Sequence, residues 1–578
     1  MKINNPSPSN TLVLRLPMWR SRMVLFVMFI GFCALLGRAF WIQGPGNDFY
    51  AEKGKKVNRV LVLNSVRGKI LDRNGEILAT SLEAKTIIAY PETIPDDLSG
   101  AKVTAFAKLL QMSEADLKKK LSDKKNQVYL RRQVEPSIAI KIKELGIPGI
   151  LITSEYRRYY PEGEAMAHIV GFTDIQDKGL DGMELTNDGS LSGKDGQKHV
   201  VIDRLGRVVD DLGDYQPPKN GTDLQLSVDS KIQSIAFQEI KKAVVANRAK
   251  AGAAIVIDSY TGEVLAMANY PSFDPNSRSK TGDQLRNRVL TDTFEPGSTM
   301  KPFTIALSLD KGLINPSTQF AIGQLQIGKK VITDTHSYSV LSVSQIIQKS
   351  SNIGTTRIAL QMQPEDMWGM FQSVGFGQAP KIYGAVAGTL KPYEKWGKLD
   401  QAVMSFGYGI STSLFQLARA YTIFARDGEL VPISMMKVEK PPVGTRIISA
   451  KTAIEMRGML ELVTQEGGTA PKAQVPGYRV GGKTGTAHKS MGKGGYASNH
   501  YDGFFSGIAP ISNPRIVVAV VIDDPTAGSH YGGDVAAPVF SAITGAALRS
   551  LGVQPDATLK ELVQNTDNAL SQKVVLKR

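Results

Sequence analysis

The stretch from Met23 to Ile42, MVLFVMFIGFCALLGRAFWI, is an apolar run of 20 residues broken by one charge, Arg38, near its far end. As a helix rising about 1.5 Å per residue it would reach about 30 Å, the thickness of a bilayer's hydrocarbon core. The run is long for a secretory signal, and no small-x-small cleavage site follows it. We read it as one membrane-spanning helix, with Arg38 snorkelling and Trp41 at the interface. A cleaved signal or a buried core helix is the competing reading. Lys2, Arg15, Arg20 and Arg22 precede the run and no acidic residue occurs before Asp48, so the positive-inside rule keeps the N-terminus cytoplasmic. The rest of the chain is then expected to face outside.

That expectation limits the available chemistry. The single cysteine, Cys33, lies inside the apolar run, and the six histidines show no HExxH spacing. Neither an intrachain disulfide nor a cysteine zinc cluster can form, and no metal or cofactor is expected. Reactive groups must come from Ser, Lys, Tyr, Asp, Glu or the backbone. The net charge of +15 suits solubility, an acidic polymer or an anionic membrane surface. Its lysines and arginines are scattered, not laid out as an aromatic-laced stripe, so nucleic acid is not an expected partner.

Composition divides the chain into a cytoplasmic tail (1–22), the anchor (23–42), an irregular α+β module (43–218), a second domain (219–552) and a polar tail (553–578). QPPKNGT, Gln216 to Thr222, marks the boundary between the modules by its proline and glycine. In the second domain, Ser230 is placed to cap a helix with Ile232, Ile235, Ala236, Ile240 and Val244 at helical spacing. GAAIVIDSYTGEVLAMANYP predicts a hairpin. YRVGGKTGTA, DGFFSGIAP and RIVVAVVIDDP predict three more strands, and APVFSAITGAALRSL a closing helix. The fold class is α/β in the α+β sense: five mostly antiparallel strands flanked by helices.

FEPGSTMKPF, Phe294 to Phe303, sets a serine three residues before a lysine. Pro302 has no N–H and must fall in the first helical turn, which starts the helix near Ser298 or Thr299. Ser298 is then either a helix N-cap or a nucleophile whose proton Lys301 takes from the same helix face. Seven serines have a lysine at the third position after them: Ser99, Ser122, Ser277, Ser298, Ser308, Ser434 and Ser490. Ser99, Ser122, Ser277 and Ser490 are expected in polar, glycine- or charge-rich loops, Ser308 inside the same helix as Ser298 and Ser434 in a strand-like segment, so the spacing is useful only at Ser298. Two further motifs bear on the choice. QKSSNIG offers Ser350 as a proton relay and Asn352 as an amide, or is an ordinary turn. VGGKTGT puts Lys483, Thr484 and Thr486 on a strand, with Gly485 leaving room for a substrate backbone, or is a polar turn. A second KTG, at Lys280 to Gly282, lies in a polar loop. A lysine at 483 near Lys301, together with burial, would favour a neutral, basic amine.

The order SxxK, SxN, KTGT resembles that of penicillin-binding proteins and serine β-lactamases. Across nearly the whole chain the sequence is similar to class B penicillin-binding proteins, and RNRVLTDTFEPGSTMKP to the division-specific transpeptidase type of Gram-negative bacteria. RGKILDRNGE, RRYYPEGE and GLDGMEL resemble the family's pedestal motifs, or are turns. The resemblance implies a transpeptidase domain on a pedestal of the dimerisation type, single-pass in the inner membrane. It implies that Ser298 attacks the penultimate D-alanine carbonyl of a stem peptide ending in D-Ala-D-Ala, and that an amine of a neighbouring strand takes the acyl group. Lys301 would be the base, Ser350 and Asn352 would relay protons and hold the substrate amide, and Lys483 with the Thr484 and Thr486 hydroxyls would receive the carboxylate. The backbone N–H groups of Ser298 and Thr486 would form the oxyanion hole. β-Lactams would be trapped, since Ser351 replaces the aspartate of S-D-N and no deacylating glutamate pattern is present. Implied partners are peptidoglycan, a glycan polymerase of the shape, elongation, division and sporulation family and other division proteins. An elongation-specific transpeptidase, a D,D-carboxypeptidase or lactamase, and a membrane scaffold or β-lactam sensor are the rivals.

Overall fold

Residues 18–43 form one helix, α1 (Met18–Gln43), of 26 residues with none buried. The computed structural model describes residues 17–44, 58–95, 98–122, 127–202, 208–277, 282–490 and 496–557. Most of the expected cytoplasmic tail, most of the C-terminal tail and part of the second KTG lie outside these. The exposure of α1 on every side removes the buried-core-helix reading. Its length and composition are those of a membrane-crossing segment.

The remaining chain divides into two bodies, one holding 83–155 and 194–219 with the residues up to 65, the other 66–82, 156–193 and the chain from 220 onward. In the first, strands Asn58–Leu63, Gly196–Ile202 and Val208–Gln216 form an antiparallel sheet. A small core around Phe106, Leu110, Leu117, Leu130 and Ile142 is closed by three helices, two of which begin at the capping serines Ser99 and Ser113, so Ser99 stands at a helix start and not in the expected loop.

In the second body, the three pedestal-like motifs meet. Glu184, fully buried, accepts from Arg67 Nε at 2.7 Å and from Arg158 Nε at 2.7 Å, and Arg67 also pairs with Asp188 at 2.7 Å. One residue from each motif thus enters a single buried ion network.

The main sheet belongs to the second body as well. Among the helices of that body are α2 (Ser230–Ala246), α3 (Lys301–Asp310), α4 (Val343–Lys349), α5 (Asn352–Ala359), α6 (Leu414–Ala425) and α7 (Ala537–Ser550). The strands of the sheet are β1 (Ala251–Asp258), β2 (Val264–Tyr270), β3 (Gly481–Ser490), β4 (Tyr496–Ala509) and β5 (Ile516–Asp523), in the order β2-β1-β5-β4-β3. All neighbours are antiparallel. Every residue of β1 is buried, as expected of a continuous Ala/Ile/Val run covered on both faces. Phe505 of β4 meets Phe540 of α7 at 4.6 Å on one side. Phe504 meets Phe294 at 4.3 Å on the other, as the two-residue period of a strand requires. β3 is left at one edge of the sheet, with β2 at the other. The α2 cap is Asp229, whose side chain accepts from the N–H groups of Lys231 and Ile232. Ser230 is instead the first helical residue and donates to Asp72.

Candidate active site

Pro302 does set the helix start, but α3 begins at Lys301, preceded by a 3-10 turn over Gly297–Met300. Ser298 sits inside that turn and caps nothing, so the N-cap reading fails. The turn is wedged against the edge strand. Gly297 has φ +55°, and a Cβ there would stand 3.2 Å from the Thr486 carbonyl oxygen. A Cβ on Gly485 would come within 2.9 Å of the Pro296 carbonyl. The space that Gly485 leaves is therefore taken by the serine's own turn, not by a substrate backbone.

Three contacts define the centre. Lys301 Nζ lies 2.9 Å from Ser298 Oγ, 2.6 Å from the Ser350 carbonyl and 3.0 Å from Ser350 Oγ. Lys483 Nζ approaches the same Ser350 Oγ at 2.9 Å. Both lysines have no exposed surface, rare for a side chain that normally keeps its charge in water. Burial lowers Lys301 to about 7, with the charge of Asp334 pulling the other way. Burial, and then the charge on Lys301, hold Lys483 well below the ordinary lysine range. The expected repulsion thus falls on Lys483, and burial is what leaves the Lys301 amine neutral and free to accept a proton.

Ser350 can serve both amines because it ends α4 in the left-handed region, φ 61° and ψ 40°, which turns its carbonyl and hydroxyl toward Lys301. A non-glycine residue there costs on the order of 1–2 kcal/mol. The next residues are held by Asp334, which the motifs do not contain. Its carboxylate accepts from Ser351 Oγ at 2.5 Å and from the N–H groups of Asn352 and Ile353 at 2.6 and 3.0 Å. Asn352 opens α5 and donates its amide to the Thr333 carbonyl at 2.9 Å.

Along β3, the Thr486 hydroxyl accepts from Gly532 N–H at 3.2 Å and keeps its proton for another acceptor. Thr484 is buried, its hydroxyl 2.9 Å from that of Thr469 and 3.3 Å from Lys483 Nζ. Behind the serine, the buried Tyr421 hydroxyl donates to the Thr299 carbonyl at 2.9 Å. Asp334, Thr469 and Tyr421 escaped sequence reasoning because each acts across a long loop from residues that carry no local pattern.

A serine hydroxyl touching a buried amine, at the N-terminal end of a helix, beside an edge strand, is equipped for acyl transfer. The model of the penicillin binding protein transpeptidase domain matches residues 252–545, and that of the penicillin-binding protein dimerisation domain residues 62–226. The chain is 40% identical over 547 residues to the probable peptidoglycan D,D-transpeptidase PenA of Neisseria meningitidis serogroup B, spanning 93% of this chain and 94% of that protein. It is 38% identical over 550 residues to the peptidoglycan D,D-transpeptidase FtsI of Escherichia coli K12, spanning 93% of each. The apo transpeptidase domain of Burkholderia pseudomallei penicillin-binding protein 3 is 52% identical, with a TM-score of 0.54, over 58% of this chain and 98% of that one.

Proposed function

Since the chain belongs to the penicillin-binding protein transpeptidase family, we propose that it cross-links peptidoglycan at the division septum through an acyl-enzyme on Ser298. Peptidoglycan D,D-transpeptidase activity with β-lactam binding is the family's property. The step through Ser298 rests on one observation: the buried Lys301 amine touches Ser298 Oγ and both oxygens of Ser350. A neutral amine has two N–H donors and one lone pair. With Ser350 O and Oγ accepting, the lone pair is left for the Ser298 proton.

In the proposed sequence, Ser298 Oγ attacks the penultimate D-alanine carbonyl as its proton passes to Lys301. The oxyanion is met by the Ser298 and Thr486 N–H groups. The C–N bond to the terminal D-alanine breaks, its nitrogen taking a proton through the Ser350 hydroxyl, which is resupplied by Lys301. The acceptor amine then attacks the ester and gives its surplus proton to Lys301, which passes it to Ser298 Oγ as the ester C–O bond breaks, restoring the serine and the neutral lysine. Lys483 and the Thr486 hydroxyl hold the terminal carboxylate, whose arrival favours the protonated form of Lys483. Asn352 holds the substrate amide.

The septal assignment is supported by the similarity of RNRVLTDTFEPGSTMKP and RRYYPEGEAMAHIVGFTD to the division-specific type. The basic residues before the apolar run 23–42 support a cytoplasmic N-terminus with both bodies outside. A glycan polymerase of the shape, elongation, division and sporulation family would be reached through α1 and the 43–218 module. The test is product analysis with a D-Ala-D-Ala stem peptide and an amine acceptor. Cross-linked dimer is expected to dominate; free tetrapeptide alone would mark a carboxypeptidase.

A further inference from the structure

Thr486 has one hydroxyl proton to give to a substrate carboxylate, and the direction of that proton depends on the Gly532 N–H that its oxygen already accepts at 3.2 Å. Gly532 opens a four-residue helical turn, Gly532–Val535, whose backbone lies directly on the sheet. A Cβ on Gly532 would run into the carbonyl oxygens of Phe504 on β4 and Gly485 on β3, and one on Gly533 into the Thr469 carbonyl. Such contacts set how close the turn comes to β3. With no side chain on either glycine, they do not set where it sits along the strand.

Asp534 supplies what the glycines lack. Its N–H donates to the Tyr531 carbonyl at 2.8 Å, and its carboxylate accepts from Ser529 Oγ and from Lys472 Nζ, each at 2.7 Å. Ser529 Oγ in turn accepts from the Tyr531 N–H at 3.2 Å. Lys472 belongs to the 3-10 turn Pro471–Ala473, three residues beyond Thr469, whose hydroxyl meets that of Thr484 on β3. One carboxylate therefore ties the loop before Gly532 to a second segment fastened to the same strand. Lys472, and then Ser529, hold it below the ordinary carboxylate range, so it is ionised at neutral pH. The side chains of Lys472 and Asp534 are 50% and 40% exposed, and an ion pair so exposed adds little to folding stability. Its place, two residues from Gly532, gives it a different use.

We propose, resting on the reading above that Thr486 meets the terminal carboxylate, that Asp534 is a positioning residue: with Lys472 and Ser529 it clamps the 529–535 turn so that Gly532 N–H holds the Thr486 hydroxyl aimed at that carboxylate. In this role Asp534 acts only through Gly532. Its loss lets the turn shift along β3, the Gly532–Thr486 bond lengthens and the hydroxyl turns to other acceptors. The consequence is selective, because a site built to hydrogen-bond one group loses its preference for ligands that carry the group when the donor is misaimed. Removing the Asp534 carboxylate also frees the Lys472 ammonium, whose charge by itself would favour an anionic ligand. Geometry and charge thus predict changes of opposite sign.

The test compares benzylpenicillin with its methyl ester, in which the carboxylate is blocked, by second-order acylation rates of the full chain read from intact mass. Wild-type protein is expected to favour the acid. In Asp534→Ala the acid-to-ester ratio should fall roughly fivefold, a fraction of the hundredfold that an ångström of misplacement can cost. The pH limb that Lys301 sets at about 7 should stay in place, and the melting temperature should hardly change. Lys472→Ala should lower the ratio as much and the double variant no further, as two residues of one clamp require. An equal loss with acid and ester, an unchanged ratio, a ratio that rises as the freed Lys472 would make it, or additive effects of the two changes would overturn the proposal and leave the Thr486 reading standing. Equal rates for acid and ester with wild-type protein would remove that reading and this proposal together. Failure of benzylpenicillin to label Ser298 would remove the acyl-enzyme as well.

Discussion

Lys301 sets the pH behaviour of the site. Its amine is wholly buried and titrates at about 7, against 10.5 for an ordinary lysine. Acylation by a β-lactam should therefore rise as pH climbs through about 7 and level off above it. Asp334 raises the Lys301 value, so Asp334→Asn should move that limb to lower pH as well as lowering the plateau. A lower plateau with an unmoved limb would make Asp334 a purely structural support of the Ser351–Ile353 turn. The same burial has a cost in stability. Between about pH 7 and 10.5 the unfolded chain binds the proton that the folded lysine has released, so stability rises with pH across that window. Lys301→Met should abolish acylation yet stabilise the neutral-pH protein by a few kcal/mol, flattening that slope. A destabilised Met variant in thermal unfolding would refute this. Ser298→Ala should lose the adduct with almost no change in melting temperature, because its hydroxyl caps no helix.

At the scale of elements, the decisive packing is a 3-10 turn against an edge strand. Gly485→Ala would push a methyl group into the Pro296 carbonyl, shifting Ser298 while leaving the buried strands β1, β5 and β4 intact. A displacement approaching 1 Å at a reacting centre can cost about a hundredfold in rate. A fall of that order in acylation with an unchanged unfolding midpoint is expected; an unaffected rate would show that the turn yields. The buried Arg67–Glu184–Arg158 network makes the opposite prediction. Glu184→Ala leaves the buried Arg158 guanidinium without a carboxylate and Arg67 with Asp188 alone, and should cost about 3–5 kcal/mol in urea unfolding, with the chemistry of Ser298 preserved in whatever protein remains folded. Much of this was legible beforehand. Alternating and continuous apolar runs located the five strands, and Pro302 located the helix start beside Ser298 to within a turn. What stayed hidden depends on contacts far apart in sequence: Asp334 beneath the SSN turn, Thr469 beside Thr484, and the meeting of Arg67, Arg158 and Glu184. The caps at Ser230 and Ser298 failed for a local reason, because Asp229 outcompetes its neighbour as acceptor and a 3-10 turn inserts before α3.

For the whole molecule, α1 has the length and composition of a membrane anchor, and the place of wall synthesis proposed above is tested in the cell. Depleting the protein from a rod-shaped host without a substituting paralogue should stop division while elongation continues, giving filaments; round cells would point to side-wall synthesis instead. That outcome concerns place, not chemistry. The chemistry turns on Ser298 becoming an ester that water does not rapidly remove. Intact mass of the full chain after incubation with benzylpenicillin near pH 8 tests it most directly. A single adduct of one penicillin is predicted, lasting minutes or longer, mapping to the peptide that contains Ser298 and absent from Ser298→Ala and Lys301→Met. No adduct, an adduct that persists in Ser298→Ala, or rapid turnover to penicilloic acid would contradict the account.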